Sequence, residues 1–143
     1  DPSNEEAVVL GLGAGEKVAR VARLRVVDGH PLAIERASLA ASVLPDPDAI
    51  ENSLYAKLDE TGNRPVRAIQ RIAAVNLGRH DAELLDVAPG AASLRIERTS
   101  YLASGRIVEF TRSIYRGDAY DFVAELRSML PQRRLPMPIR AWS

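Results

Sequence analysis

Two arginines, Arg23 and Arg25, stand two residues apart in the segment "VARLRVV". Residues two apart in a β-strand project from the same face, so their guanidinium groups would lie side by side. Adjacent guanidinium groups repel each other unless an anion or carboxylates lie between them, and each planar fork can donate two hydrogen bonds to a phosphate or a carboxylate. The pair predicts an anion-binding strand face, and a solvated strand face is the alternative interpretation.

A row of polar side chains alternates along the segment "VEFTRSIY": Glu109, Thr111, Ser113 and Tyr115. The residues between them are mostly apolar, so one face of this strand would meet a core and the other a polar ligand. An ordinary exposed sheet face is the alternative interpretation of this row.

Glu35 can join the arginines in only one register of the hairpin that turns at "DGHP". With a three-residue loop, Asp28-Gly29-His30, Glu35 would lie opposite Arg23 on the same face. With a two-residue loop it would turn to the other face, because a slip of one residue inverts every side chain.

Ser53 stands at the start of the predicted helix "NSLYAKLDETG". The free N–H groups and the positive end of the dipole at a helix start favour an anion. N-capping of the helix by Ser53 explains the residue equally simply.

Several kinds of chemistry are not expected. The sequence has no cysteine and only two separate histidines, His30 and His80. These counts argue against a metal site, a thiolate nucleophile and a histidine-based triad, and no cofactor is predicted. The glycines of "GLGAGE" lack the spacing of a dinucleotide fingerprint and would follow a helix, so they indicate a turn. The 19 basic and 19 acidic residues balance, which argues against DNA binding by these residues themselves. No apolar run reaches the ~18 residues that a membrane span needs.

The elements that would position these groups alternate helices with strand pairs. A capping box, Ser3 with Glu6, begins the first helix, and the Asp28-Gly29 and Ser104-Gly105 pairs mark two hairpins. We expect helices over 3–12, 52–62 and 80–87, strands over 17–27, 32–40, 65–77, 93–103, 106–116 and 119–126, and an irregular tail over 127–143. In the last strand, Tyr120 and Phe122 would pack the core. Strands linked by hairpins, with helices between the pairs, predict an α+β fold with an antiparallel sheet.

The sequence also repeats a pattern internally. Two segments offset by 75 residues share a helix, a glycine turn, a strand with arginines and a glycine hairpin, so that Gly15 matches Gly90 and Arg23 matches Arg98. The repeat suggests two similar halves in one sheet.

In this order, the segments "RLRVVDGHPLAIE", "NSLYAKLDETG", "PVRAIQRIAA" and "RSIYRGDAYDF" resemble the UTRA effector-binding domain of bacterial GntR-type transcription regulators of the HutC subfamily. The resemblance covers about residues 7–126, and the Y-R-G-D run followed by an aromatic residue is its most specific mark. It implies a fold similar to chorismate lyase, an antiparallel sheet flanked by helices, in a cytoplasmic homodimer. DNA would be bound by a separate N-terminal winged helix-turn-helix domain that is not expected in this chain.

The resemblance further implies that a small anionic metabolite, a sugar phosphate or an organic acid, binds the domain as effector. Its ligand contacts would come from the motifs "RLR", "AIE", "SLY", "IVE" and "YRGD", that is, from Arg23, Arg25, Glu35, Ser53, Tyr55, Glu109 and Tyr115. The arginines would hold the anionic group, and the glutamates and Tyr115 would meet hydroxyl or amine groups. Two alternatives stay open: a chorismate lyase-like enzyme, and a dimerisation module without a ligand.

Overall fold

The structure, a computed structural model, describes residues 1–49 and 54–126. Its elements in chain order are α1 (Asn4–Leu10), β1 (Val18–Val27), β2 (His30–Ala40), a 3₁₀ turn (Pro47–Ala49), α2 (Leu54–Glu60), β3 (Arg67–Asn76), α3 (Arg79–Leu84), β4 (Ala92–Tyr101) and β5 (Ile107–Arg116). The strands form one antiparallel sheet in the order β1-β2-β5-β4-β3. The predicted α+β fold is confirmed. No helix in the described part is long and apolar enough to cross a membrane.

Two hairpins, β1–β2 and β4–β5, meet at the centre of the sheet, where β2 pairs with β5. The first hairpin turns at Asp28 and Gly29, whose φ angles of 51° and 77° are both positive. That combination is the type I′ turn, whose twist matches that of the paired strands. The internal repeat therefore corresponds to two equivalent hairpins side by side.

A β-bulge in the first hairpin decides where Glu35 points. The turn has two residues, because Val27 pairs with His30, but a shift in register between Arg25 and Val26 leaves Leu32 unpaired. This extra residue inverts the side-chain alternation once more, so Arg23 lies directly opposite Glu35. The prediction that a two-residue loop would turn Glu35 away was wrong, since it did not include the bulge.

The helix α1 packs against β2 and β5 and begins at the predicted capping box. The Ser3 hydroxyl accepts from the Glu6 N–H at 3.1 Å, and the Ser3 N–H donates to Glu6 Oε1 at 2.8 Å. The Glu6 carboxylate also binds Arg20 and Ser38 on the same face of the sheet. The helix is therefore held to this face by a partly buried polar network centred on Glu6.

Hydrophobic cores lie on both faces of the sheet. On the face of α3, a cluster joins that helix to β2 and β5: Ile34, Leu77, Ala82, Leu85 and Ile114. On the opposite face, Leu58 of α2 packs with one end of the β1–β2 hairpin and with the turn that follows β2: Ala19, Ala37, Leu39 and Leu44. The rest of that second face is open above the strands and contains the candidate site.

The predicted last strand over 119–126 is wrong. Residues 119–126 have no regular secondary structure, and Phe122 is 55% exposed rather than part of the core. The sequence alternates as a strand does, but alternation identifies no hydrogen-bonding partner, and in the described chain no strand pairs with this segment. The predicted tail over 127–143 lies outside the described residues.

Candidate ligand-binding site

A half-open cavity of about 230 Å³ lies on the sheet face opposite α1 and α3. All five strands contribute to it, together with α2 and the segment after β5. The lining residues are Val21, Arg23, Glu35, Ala37, Leu54, Gln70, Ile96, Arg98, Glu109, Thr111, Ser113, Tyr115 and Tyr120. Polar and charged side chains thus surround a space suited to a small metabolite.

Four of the predicted site residues line this cavity: Arg23, Glu35, Glu109 and Tyr115. Their convergence follows from strand register, since Arg23 pairs with Glu35 across β1 and β2, and Glu35 pairs with Ser113 across β2 and β5. Tyr115 follows Ser113 on the same face of β5.

The other three predicted residues are placed differently. Arg25 is not among the lining residues, but it contacts Glu35 and Tyr115 next to the cavity. Ser53 lies outside the described residues. Tyr55 belongs to α2, and its side chain is outside the described part of the chain.

Arg25, Glu35 and Tyr115 form a compact polar group. Arg25 Nη1 lies 3.5 Å from Glu35 Oε1 and donates to the Tyr115 hydroxyl at 3.3 Å, while that hydroxyl donates to Glu35 Oε1 at 3.3 Å. Burial raises the pKa of the Tyr115 phenol, and the nearby Glu35 carboxylate raises it further. Tyr115 is therefore a neutral donor at physiological pH, beside a carboxylate whose other oxygen can accept from a ligand.

Glu109 presents a buried carboxylate oxygen to the cavity. The residue is 2% exposed, and Thr111 Oγ1 donates to its Oε1. Within the described residues Oε2 has no hydrogen-bond partner, and neither has the hydroxyl of Ser100, which is paired with Glu109 across β4 and β5. A buried acceptor without a donor is costly, so a ligand hydroxyl or ammonium group at this point would be stabilising.

Thr111 and Ser113, from the predicted polar row of β5, also line the cavity, and three further polar lining residues were not predicted for the site: Gln70, Arg98 and Tyr120. The internal repeat contained a signal for Arg98, because it matches Arg98 with Arg23. The Tyr120 ring lies 4.5 Å from the Tyr115 ring between centroids, tilted by 37°, where the sequence predicted a core residue. Gln70 is in the lining because β3 neighbours β4, which no local pattern indicates.

No group of three His, Asp or Glu side chains in the described ranges could hold a metal ion. An antiparallel sheet with α1 and α3 on one face, and with α2 and a polar cavity lined by arginine and carboxylates on the other, defines an α+β ligand-binding domain.

The UTRA domain family matches residues 1–121, and the chain belongs to this family. It is 30% identical over 126 residues to the HTH-type transcriptional repressor NagR of Bacillus subtilis, covering 86% of this chain and 52% of NagR. The chain thus spans about half the length of that relative.

Solved structures agree with this assignment. A GntR-family transcriptional regulator from Enterococcus faecalis V583 superimposes with a TM-score of 0.81 at 31% identity, covering 87% of this chain and 92% of that one. The effector domain of PhnF from Mycobacterium smegmatis gives 0.82 at 28% identity, covering 89% of this chain and 80% of that one. The predicted family is confirmed: the chain is a UTRA domain of the kind found in GntR-family regulators, and the relatives NagR and PhnF are transcriptional repressors rather than enzymes of the chorismate lyase type.

Proposed function

We propose that the cavity binds a small anionic effector, a sugar phosphate or an organic acid, and that this binding regulates a DNA-binding domain in the full-length regulator. The observation that carries the proposal is the placement of Arg23 and Glu35 opposite each other in a cavity that also contains the unpartnered oxygen of Glu109. A cationic group at one end and acceptors beyond it fit a ligand with an anionic head and a hydroxylated or amine-bearing body.

The roles of the individual residues follow from their chemistry. The Arg23 guanidinium would hold the anionic group by paired, charge-assisted hydrogen bonds, with Arg25 and Ser53 as further donors. Glu35 and Glu109 would accept from ligand hydroxyl or ammonium groups, and the Tyr115 hydroxyl would exchange its bond to Glu35 for one to the ligand.

Regulation needs two arrangements of the full-length protein with different effector affinities. The relatives NagR and PhnF are both described as transcriptional repressors, so we propose that the full-length protein is a cytoplasmic repressor of the HutC subfamily. A homodimer is the expected form, with DNA bound by a separate N-terminal domain.

Isothermal titration calorimetry with glucose 6-phosphate, glucitol 6-phosphate, 6-phosphogluconate and citrate tests the anion site. We expect Arg23→Gln to weaken binding of every probe that the wild type binds, by about tenfold or more, because a charge-assisted hydrogen bond contributes about 1.5–3 kcal/mol. Arg95→Gln is the matched control: Arg95 lies on β4, its side chain pairs with Glu97, and it does not line the cavity.

Equal affinities of Arg23→Gln and the wild type would show that the anion binds elsewhere. If none of the probes bound the wild type at millimolar concentration, a dimerisation module without a ligand would become the better interpretation.

A further inference from the structure

The two central hairpins are related by a pseudo-twofold axis normal to the sheet. The axis passes through the cross-strand pair of Arg36 on β2 and Arg112 on β5. A rotation by 180° about it places the pair Glu35–Ser113 on the pair Thr111–Ala37. The same operation moves β1 onto β4, so that Arg23, opposite Glu35, corresponds to Arg98, opposite Thr111.

This symmetry gives the cavity floor two neighbouring cross-strand rows, each with its arginine at a different end. One row runs Arg23, Glu35, Ser113, Ile96, and the next runs Val21, Ala37, Thr111, Arg98, Gln70. Every member of both rows lines the cavity. Strands β1 and β4 are three interstrand spacings apart, about 14 Å. The cavity thus has a cationic group at each of two diagonally opposite ends.

Gln70, a neutral side chain, orients the guanidinium of Arg98. Arg98 Nε and Nη2 both donate to Oε1 of Gln70, at 3.3 Å and 3.2 Å, and Gln70 is its cross-strand neighbour on β3. An amide oxygen orients the fork without adding a negative charge, whereas the Glu35 carboxylate lies beside the arginines at the other end. The Gln70 amide nitrogen is itself a donor. Arg98 and Gln70 therefore both present donors to the cavity, beside the Glu109 carboxylate, which contacts Thr111, the cross-strand partner of Arg98.

We propose that Arg98 and Gln70 form a second ligand subsite, which takes a carboxylate at the far end of an effector whose first anionic group binds at Arg23. Between the two ends, Glu35 and Thr111 provide a carboxylate and a hydroxyl that pair with ligand hydroxyls, and Glu109, in the next row beside Thr111, accepts from a hydroxyl close to the second subsite. The ligand class is then a polyhydroxylated acid with an anionic group at each end. This inference rests on the proposed function, because it takes the Arg23 end as an anion site.

A matched pair of probes separates the two subsites. 6-Phosphogluconate carries a phosphate at one end and a carboxylate at the other, and glucitol 6-phosphate has the same carbon chain with a hydroxymethyl group in place of the carboxylate. Calorimetry on the wild type should show about tenfold tighter binding of 6-phosphogluconate. Arg98→Gln should abolish that preference and leave the affinity for glucitol 6-phosphate unchanged.

Arg95 lies three residues before Arg98 on β4 and projects from the opposite face of the strand, so Arg95→Gln should keep the preference. Gln70→Ala, which removes the partner that orients Arg98, should reduce the preference without removing the positive charge, and it serves as the second variant if Arg98→Gln fails to fold.

Equal affinity of the two probes for the wild type, or an unchanged preference in both Arg98→Gln and Gln70→Ala, would overturn the second subsite. The anion site would still stand if Arg23→Gln weakened both probes. Absence of binding by both probes at millimolar concentration would overturn both proposals.

Discussion

Glu6 is a buried carboxylate that joins α1 to the sheet. Its two oxygens accept from Arg20 at 2.9 Å and 2.6 Å, and from the Ser38 hydroxyl at 2.7 Å. The Glu6 residue is only 7% exposed, so these donors replace the water that the charge would otherwise bind. The Arg20 hydrogen bond is the main cause that lowers the pKa of Glu6 from 4.5 to about 2.

This lowered pKa predicts a defined loss of stability in acid. Because the folded protein holds the Glu6 proton more weakly than the unfolded chain, the stabilisation is complete above pH 4.5 and is lost as the pH falls towards about 2. Solvent around the half-exposed Arg20 weakens its interaction with Glu6, so we expect this stabilisation to be about 2 kcal/mol. Glu6→Gln should lose that amount at neutral pH and show a flatter pH dependence in urea denaturation.

The matched control is Glu5→Gln, since Glu5 also pairs with an arginine, Arg112, but is itself more than half exposed in its side chain. It should change stability by well under 1 kcal/mol. If the free energy of unfolding changed with pH in the same way for the wild type and Glu6→Gln, Glu6 would not be the cause of the acid sensitivity.

At the scale of single residues, parity along strands predicted much of the site. Arg23, Glu109 and Tyr115 were placed by alternation, which depends only on the strand to which each belongs. Gln70 could not be found this way, because its position in the cavity depends on β3 lying beside β4. Tyr120 follows β5 in a segment without regular structure, where no periodicity applies.

At the scale of elements, local signals in the chain predicted most of the sheet. The Asp28-Gly29 turn, the capping box and the alternating runs of β1 to β5 correspond to observed elements, because each depends on neighbours close in sequence. The bulge at Leu32 and the absence of a strand over 119–126 depend instead on pairing across the sheet. Register and partner choice are therefore the parts that the sequence alone did not determine.

The turn after β5 packs directly on the start of β4, and this contact explains a glycine in the "YRGD" segment. The N–H of Gly117 donates to the carbonyl oxygen of Ala92 at 3.0 Å, and a Cβ at Gly117 would lie 2.6 Å from the same oxygen. The following Asp118 pairs with Arg116, which lowers the pKa of the Asp118 carboxyl. Gly117 is thus required by close approach of two backbones.

Gly117→Ala should therefore destabilise the domain by about 1–3 kcal/mol, because the backbone of β4 must move to admit the methyl group. Gly78→Ala is the control, since a Cβ there meets no atom within 4 Å and its φ of −71° suits any residue. Urea denaturation of both variants measures the difference. Equal stabilities of the two variants would show that the turn relaxes at no cost.

At the scale of the whole molecule, one face of the sheet packs against helices and the other face forms the cavity. One face is closed by α1 and α3, and the other presents the cavity, with β2 and β5 common to both. On β5, Ser113 faces the cavity while Arg112 binds Glu5 of α1. A ligand that binds the cavity face therefore stabilises strands that also carry the opposite face. Its binding should raise the free energy of unfolding of the whole domain.

Thermal unfolding measures that linkage. At a free concentration of 6-phosphogluconate a hundred times its Kd, binding only to the folded state adds about 2.7 kcal/mol. For a domain of this size, Tm should rise by roughly 5–10 °C. If Arg23→Gln weakens binding tenfold, the same ligand concentration should stabilise it by about 1.4 kcal/mol, half the wild-type gain. An equal rise in Tm for the wild type and Arg23→Gln would mean that the ligand stabilises the fold from a site without Arg23.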